Sequence, residues 1–154
     1  VSVKDVMTRE IVTVRPSHTI AEVAGMMARH KTGSLVVTED RDIVGIITER
    51  DVVGVVAQGN DPRDVSVGEV MSKDVVTVDP ETPLRDAARL MVERWFRHLP
   101  VVTGGGSLVG VLSIRDVAGL VAEGMHEPQI LERLTGHKLV RQIRLERITA
   151  GDLD

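Results

Sequence analysis

The stretch Gly45-Ile46-Ile47-Thr48-Glu49-Arg50-Asp51 returns as Gly110-Val111-Leu112-Ser113-Ile114-Arg115-Asp116, and this return decides the fold. Around it, Val1 to Gly59 and Val65 to Gly124 overlay almost without gaps, with roughly 20 of about 59 aligned positions identical. The offset is 64 residues from Met7 to Met71 and 65 from Asp51 to Asp116, so one residue has been inserted, most simply in the run Gly104-Gly105-Gly106. A period this long is one supersecondary unit used twice. Units of about 60 residues are marginal alone, so the two are expected to share their burial. The organisation read from the chain is a first copy over residues 1–59, a linker over 60–64 (Asn60 to Asp64), a second copy over 65–124 and a tail over 125–154.

Each copy reads as strand, helix, strand, strand, helix. The β-branched runs Ile11 to Val14 and Val75 to Val78 are stopped by Pro16 and Pro80. Apolar residues then recur at helical spacing, at Ile20, Val23, Ala24 and Met27, and again at Leu84, Ala87, Ala88 and Met91. Two further strands follow in each copy, Ser34 to Thr38 with Ile43 to Thr48, and His98 to Thr103 with Leu108 to Ser113. Short helices Glu49 to Ala57 and Ile114 to Ala122 close the copies, ahead of Gly59 and Gly124. In the tail, Glu127 to Leu134 reads as a short helix and the remainder as a strand or a second helix. Its basic residues read as a solvated packing face or a docking surface.

Composition narrows the function. The net charge is −4, which gives no electrostatic reason to expect nucleic acid as a partner. There is no cysteine, which removes disulfides, thiolate metal sites and cysteine nucleophiles. His18, His30, His126 and His137 show no metal-ligand spacing. No apolar run approaches the ~18 residues that span a bilayer, and Val1 to Thr8 is no signal peptide, so no membrane association and a cytoplasmic location are expected. Trp95 and Phe96 are the only aromatic residues. A flat ligand would therefore lie between aliphatic side chains. No nucleophile elbow, P-loop or glycine-rich dinucleotide turn appears, so an enzyme is not expected.

The repeated stretch admits two readings. Thr48 with Asp51, and Ser113 with Asp116, have the spacing of a capping box, in which a hydroxyl N-cap is worth about 1 kcal/mol. The same geometry also suits a ligand. A helix N-terminus offers unpaired N–H groups to a phosphate, a hydroxyl can donate to it, and a carboxylate can accept both hydroxyls of a ribose. Diol, phosphate and flat base are the parts of a nucleotide.

With these residues in place, the repeated order of Met-Thr/Ser, a Val-x-Thr-Val strand ending at Pro, an amphipathic helix, Leu-x-Val-Val and Gly-x-x-Thr/Ser-x-x-Asp resembles tandem cystathionine β-synthase (CBS) domains, the pair called a Bateman module. The resemblance covers Val1 to about Gly124. It implies an α/β fold of the α+β kind, with two pseudo-symmetric βαββα units packed through their sheets. It also implies clefts that bind AMP or ADP, with ATP, S-adenosylmethionine or NAD(H) as further candidates, and no resident cofactor. Carried onto this sequence, one cleft uses Ile46, Thr48 and Asp51, with Met71, Asp74, Val76 and Phe96 around the base. The other uses Val111, Ser113 and Asp116, opposite Met7, Glu10, Val12 and Thr32. Arg97 and His98 stand where family members place phosphate-holding basic residues, whereas the first copy has Gly33 and Ser34. Unequal clefts follow, with charge-assisted bonds from Arg97 and His98 at the Asp116 site.

The expected function is a regulatory adenine-nucleotide sensor, and the alternative is a ligand-free interaction or dimerisation module. A homodimer is expected through the apolar closing helices, at Val52, Val53, Val55 and Val56 and at Val117, Leu120 and Val121. An effector protein is implied, and the sequence does not name it.

Overall fold

The structure, a computed structural model of the chain, describes residues 1–122. It is a mixed α+β arrangement of small sheets and short helices. In the first copy these are β1 (Thr13–Val14), α1 (Ile20–His30), β2 (Ser34–Glu39), β3 (Asp42–Thr48) and α2 (Glu49–Ala57). The second copy holds α3 (Val67–Val70), α4 (Leu84–Arg94), β4 (His98–Val102), β5 (Leu108–Ser113) and α5 (Ile114–Ala122). The tail beyond Ala122, with the helix expected there, lies outside the described residues. The long helices and hairpins stand where periodicity put them. The helix α3 and a 3-10 turn at Val3–Asp5 were not anticipated.

In the first copy β1 pairs parallel with β2, and β2 pairs antiparallel with β3, in the order β1-β2-β3. In the second copy only β4 and β5 form a sheet. The strand expected at Val75 to Val78 shrinks to one parallel bridge, Val78 to Val101. Proline is the reason. The first copy pairs Thr13 with Val36 and Val14 with Val37. The residue equivalent to Val36 is Pro100, which has no N–H to give the ladder, so only the position of Val101 survives.

Helix α1 starts on a full capping box, with Glu22 N–H donating to Thr19 Oγ1 at 3.1 Å and Thr19 N–H donating to Glu22 Oε1 at 3.0 Å. The helices α1 and α4 end on Lys31 and Trp95, 64 residues apart, both in the left-handed region at φ 52° and 61°. Such a residue turns the chain back into the following strand at a cost of roughly 1–2 kcal/mol.

The compact units do not follow the repeat boundaries. Among the described residues, one comprises 1–9, 78–101 and 110–122, and the other 10–77 and 102–109. Each repeat's leading segment is held by the helix and hairpin of the other repeat. In the second unit Ile20 N–H donates to the Val65 carbonyl at 2.9 Å and Val67 N–H to that of His18 at 2.8 Å. In the first, the equivalent bonds run from Leu84 N–H to Val1 at 3.0 Å and from Val3 N–H to Thr82 at 2.9 Å. Val67 and Met71 join the core of Val14, Ile20, Val23, Leu35 and Ile47. Val3 and Met7 are buried in the unit that also buries Leu84, Met91, Leu99 and Leu112.

The closing helices are less available to a twin than their composition implied. Val55 and Val117 are buried, while Val53 and Val56 stand 65% and 59% exposed. On α2 the outward apolar surface is therefore chiefly these two valines. No helix among the described residues is long and apolar enough to cross a membrane.

The leading segments reach the hairpins at two glycines. A Cβ on Gly45 would meet Met71 Sδ at 2.6 Å and the Ser72 carbonyl at 2.9 Å, and one on Gly110 would meet Met7 Sδ at 2.6 Å and the Thr8 carbonyl at 3.0 Å. A methionine end can move, but a paired carbonyl cannot without breaking its bridge. Gly45→Ala is therefore expected to destabilise the fold by about 1–3 kcal/mol. Gly54→Ala in α2 meets nothing within 4 Å and should stabilise by roughly 0.5–1 kcal/mol. Urea midpoints of the two variants, at unchanged slope, check the contrast.

Candidate ligand-binding site

Each repeated stretch ends a strand and starts a helix on the same residue pair. Thr48 is extended at the start of α2 (φ −124°, ψ 165°). Its N–H donates to Asp51 Oδ2 at 2.9 Å and its hydroxyl to the same oxygen at 3.1 Å. At the start of α5, Ser113 N–H donates to Asp116 Oδ2 at 3.0 Å, and Asp116 N–H donates to Ser113 Oγ at 3.0 Å. The capping reading is thus realised in both copies, but it occupies one oxygen of each carboxylate. Among the described residues Oδ1 of Asp51 and of Asp116 accepts no hydrogen bond, and both aspartates are only half-buried. A carboxylate offers about four lone-pair sites, so the cap and a ligand can be served together.

Both hydroxyls face the N–H of their own aspartate as cap acceptors, and they differ in where their own proton goes. Thr48 spends its proton on Asp51, because a carboxylate can only accept. Ser113 accepts from the backbone, and among the described residues its own proton goes to no acceptor.

The other repeat's leader forms the neighbouring wall. Ile46 and Ser72 exchange backbone bonds at 2.9 and 3.0 Å, which brings Met71 against the strand end that carries Thr48. Thr8 and Val111 exchange bonds at 2.9 and 3.0 Å and bring Met7 to the strand end that carries Ser113. One unit thus holds Ile46, Thr48, Asp51 and Met71, together with exposed Asp74 and half-buried Val76. The other holds Met7, Arg97, His98, Val111, Ser113 and Asp116. Phe96 belongs to the unit of Asp116, and its N–H donates to the Met91 carbonyl. Glu10, Val12 and Thr32 belong to the unit of Asp51. There Val12 packs on the core, and Thr32 donates its hydroxyl to the Ser34 carbonyl at 3.0 Å.

The flanks of the two motifs are built on one backbone frame and differ in chemistry. Glu49 N–H donates to the Gly33 carbonyl at 3.0 Å, and Ile114 N–H donates to the Arg97 carbonyl at 2.9 Å. A Cβ on Gly33 would lie 2.8 Å from Glu49 Oε1, so the glutamate side chain occupies the space beside the glycine. Sequence reasoning passed over Glu49. Its signal was the one motif position where an acid in the first copy faces an isoleucine in the second. On the other side, the expectation of a cationic His98 needs correction. Burial pushes its pKa down to about 4, Arg97 adds to the shift, and Asp116 opposes it. At neutral pH His98 brings one N–H and one lone pair, so of the two basic positions only Arg97 brings a positive charge.

Comparison with known proteins adds the relatives. The CBS domain family model matches residues 3–58 and 67–123. An uncharacterized protein of Methanopyrus kandleri is 40% identical over 119 residues, 76% of this chain and 61% of that protein. The CBS domain-containing protein YhcV of Bacillus subtilis is 40% identical over 118 residues, 76% of this chain and 83% of that one. Among solved structures, the CBS domain pair of protein MJ0100 in complex with 5′-methylthioadenosine and S-adenosyl-L-methionine aligns with a TM-score of 0.74 at 25% identity, covering 80% of this chain and 97% of that one. The protein CBSX2 in complex with AMP aligns at a TM-score of 0.70 and 28% identity, covering 79% of this chain and 96% of that one.

The neutral state of His98 makes stability depend on pH. Its native pKa, about 4, lies below the ordinary value of 6.5, so between these values the unfolded chain binds more protons. The contribution is whole above pH 6.5 and is lost as pH falls toward 4, by up to about 3 kcal/mol. His98→Gln should flatten the unfolding free energy across that window. Asp5, Glu22 and Asp61, whose pKa values hydrogen bonds lower, act in the more acidic range and are untouched by the substitution. Denaturant titrations at pH 7, 6, 5 and 4.5 on both proteins measure the difference.

Proposed function

Because this chain belongs to the CBS domain family, with two tandem copies, we propose that it is a regulatory module that binds adenosine nucleotides at Thr48–Asp51 and Ser113–Asp116, with AMP or ADP as the chief ligand. The observation that carries the reading is the half-used carboxylate in each copy, where Oδ2 ties the helix start and Oδ1 accepts nothing among the described residues. Asp51 and Asp116 hold the ribose diol. The Ser113 hydroxyl receives the phosphate at the start of α5, with Arg97 as the nearby cation; the Ile114 and Asp116 N–H groups are already given to the Arg97 carbonyl and to Ser113 Oγ. Ile46 with Met71, and Val111 with Met7, supply aliphatic surface for the base, with Asp74 and Val76 in the same unit as Asp51. Two structural neighbours are complexes with adenosine compounds, AMP in one and S-adenosyl-L-methionine with 5′-methylthioadenosine in the other. The ligand works by population shift, limited to the difference in its affinity for the arrangements it selects between. It does no chemistry of its own.

Val53 and Val56, exposed on α2, support a second element of the reading, a homodimer joined through that face. A module that only dimerises would use this face and leave the aspartates to their caps.

Melting curves separate the two. AMP at 100 times its dissociation constant should add about 2.7 kcal/mol, a rise of roughly 5–10 °C. Asp116→Ala should abolish most of the rise, and 2′-deoxyadenosine 5′-phosphate should bind more weakly by about 1–3 kcal/mol. Flat curves with AMP, ADP, ATP, S-adenosylmethionine and NADH would leave the dimerisation module. Sedimentation of the wild type and Val53→Lys at micromolar concentration tests the dimer, which the lysine should dissociate.

A further inference from the structure

We propose that the two motif copies sort adenosine ligands by charge, with the Ser113–Asp116 site taking 5′-phosphorylated nucleosides and the Thr48–Asp51 site taking those with a neutral or cationic 5′ substituent, and that Glu49 sets the difference. The inference rests on the ligand reading above and narrows it, keeping AMP and ADP to the Ser113–Asp116 site and giving the Thr48–Asp51 site its own class of adenosine ligand.

The two sites share what attracts a phosphate in general. Each stands at the start of a nine-residue helix, and in each the first helical N–H is tied to the carbonyl just ahead of the preceding hairpin, that of Gly33 or Arg97. Helix dipole and backbone donors therefore cancel in the comparison. What remains is side-chain chemistry. In the first motif Glu49 lies against Gly33, with its carboxylate oxygen where a Cβ of that residue would press. In the second, the residue at that place is Ile114, buried and uncharged, and Arg97 replaces the glycine. The Arg50 and Arg115 positions are the same in both. The surroundings of the two aspartates thus differ by two unit charges, a glutamate present on one side and an arginine on the other.

The hydroxyls independently point the same way. A phosphate needs a donor, and among the described residues the Ser113 proton goes to no acceptor. Thr48 donates to Asp51, and a phosphate there would have to break that bond. A phosphate at Thr48 would face two carboxylates and an occupied hydroxyl. A protonated amine or a sulfonium on the 5′ carbon would be attracted by the same groups, and an uncharged 5′ group would meet no repulsion.

The test is calorimetric titration of the full chain with adenosine, AMP and 5′-amino-5′-deoxyadenosine, with the sites told apart by Asp51→Asn and Asp116→Asn. With Asp116→Asn silencing its own site, the Thr48 site should bind the amine at least tenfold more tightly than AMP. Glu49→Gln, an exposed and isosteric change, should improve AMP there about tenfold and leave adenosine within threefold. Added salt should strengthen AMP at the Thr48 site and weaken it at the Ser113 site, a signature that a merely structural glutamate would not produce. Should either aspartate variant fold poorly, Glu49→Gln in the otherwise wild-type chain carries the same readout as a rise in AMP stoichiometry from one site to two. Equal affinity of AMP and the amine at the Thr48 site, or a Glu49→Gln effect shared equally by all three ligands, would overturn the sorting and leave the sensor standing. Absence of binding by all three compounds at both sites would remove the ligand reading and the sorting with it.

Discussion

Two places where a side chain is forbidden hold the architecture together. At Gly45 and Gly110 the backbone of one repeat's hairpin lies against the methionine and the carbonyl of the other repeat's leader, closer than any Cβ allows. The bridges Ile46–Ser72 and Thr8–Val111 depend on that approach. With the bridges in place, Val67 and Met71 reach one core, while Val3 and Met7 are buried with the other. Without them each leader would leave its apolar residues in water and each hairpin edge its N–H and C=O groups unpaired. Exchange of leaders thus solves the burial problem of a 60-residue unit by lending it residues from its copy. It also places each strand end, with its hydroxyl and acid, beside residues of both repeats.

The same few atoms serve stability and recognition. A hydroxyl at the helix start and an acid three residues on satisfy backbone groups that would otherwise be orphaned. Capping consumes one carboxylate oxygen and fixes the rotamer of the acid, which leaves the second oxygen preorganised. A ligand that uses it pays little to order the side chain, because the fold has already done so. The cap and the site are therefore not rival accounts of Asp51 and Asp116. One prepares the other.

Much of this was legible in the chain. Periodicity located α1, α4, the hairpins and the closing helices, because amphipathic faces and β-branched runs of this length leave a strong local signal. What could not be read locally was set by partners distant in sequence. The second copy's first strand dissolves into a bridge because Pro100, some twenty residues later, withholds an N–H. The leaders look like the start of their own copies, and only the three-dimensional pairing shows that they pack with the other one. Val55 and Val117 look as available to a twin as Val53 and Val56, since helical phase against a particular neighbour decides which face is covered. His98 reads as a cation in sequence and is neutral in place, because burial outweighs the pull of Asp116.

The internal duplication also provides its own control experiment. Positions the backbone requires, Gly45 with Gly110, Thr48 with Ser113 and Asp51 with Asp116, are the same or chemically equivalent in both copies. Positions beside the half-used carboxylates, Gly33 with Arg97 and Glu49 with Ile114, are not. The caps are made by the hydroxyl and the acid alone and set no requirement on the charge at these neighbouring positions, so the difference there bears on what the second carboxylate oxygen meets and not on the cap. The frame is common and the surroundings are opposed in sign. Under the proposed sorting, two sites of opposite sign on one frame would answer to two different ligands, and a module of that kind would report the ratio of those ligands more sharply than the amount of either.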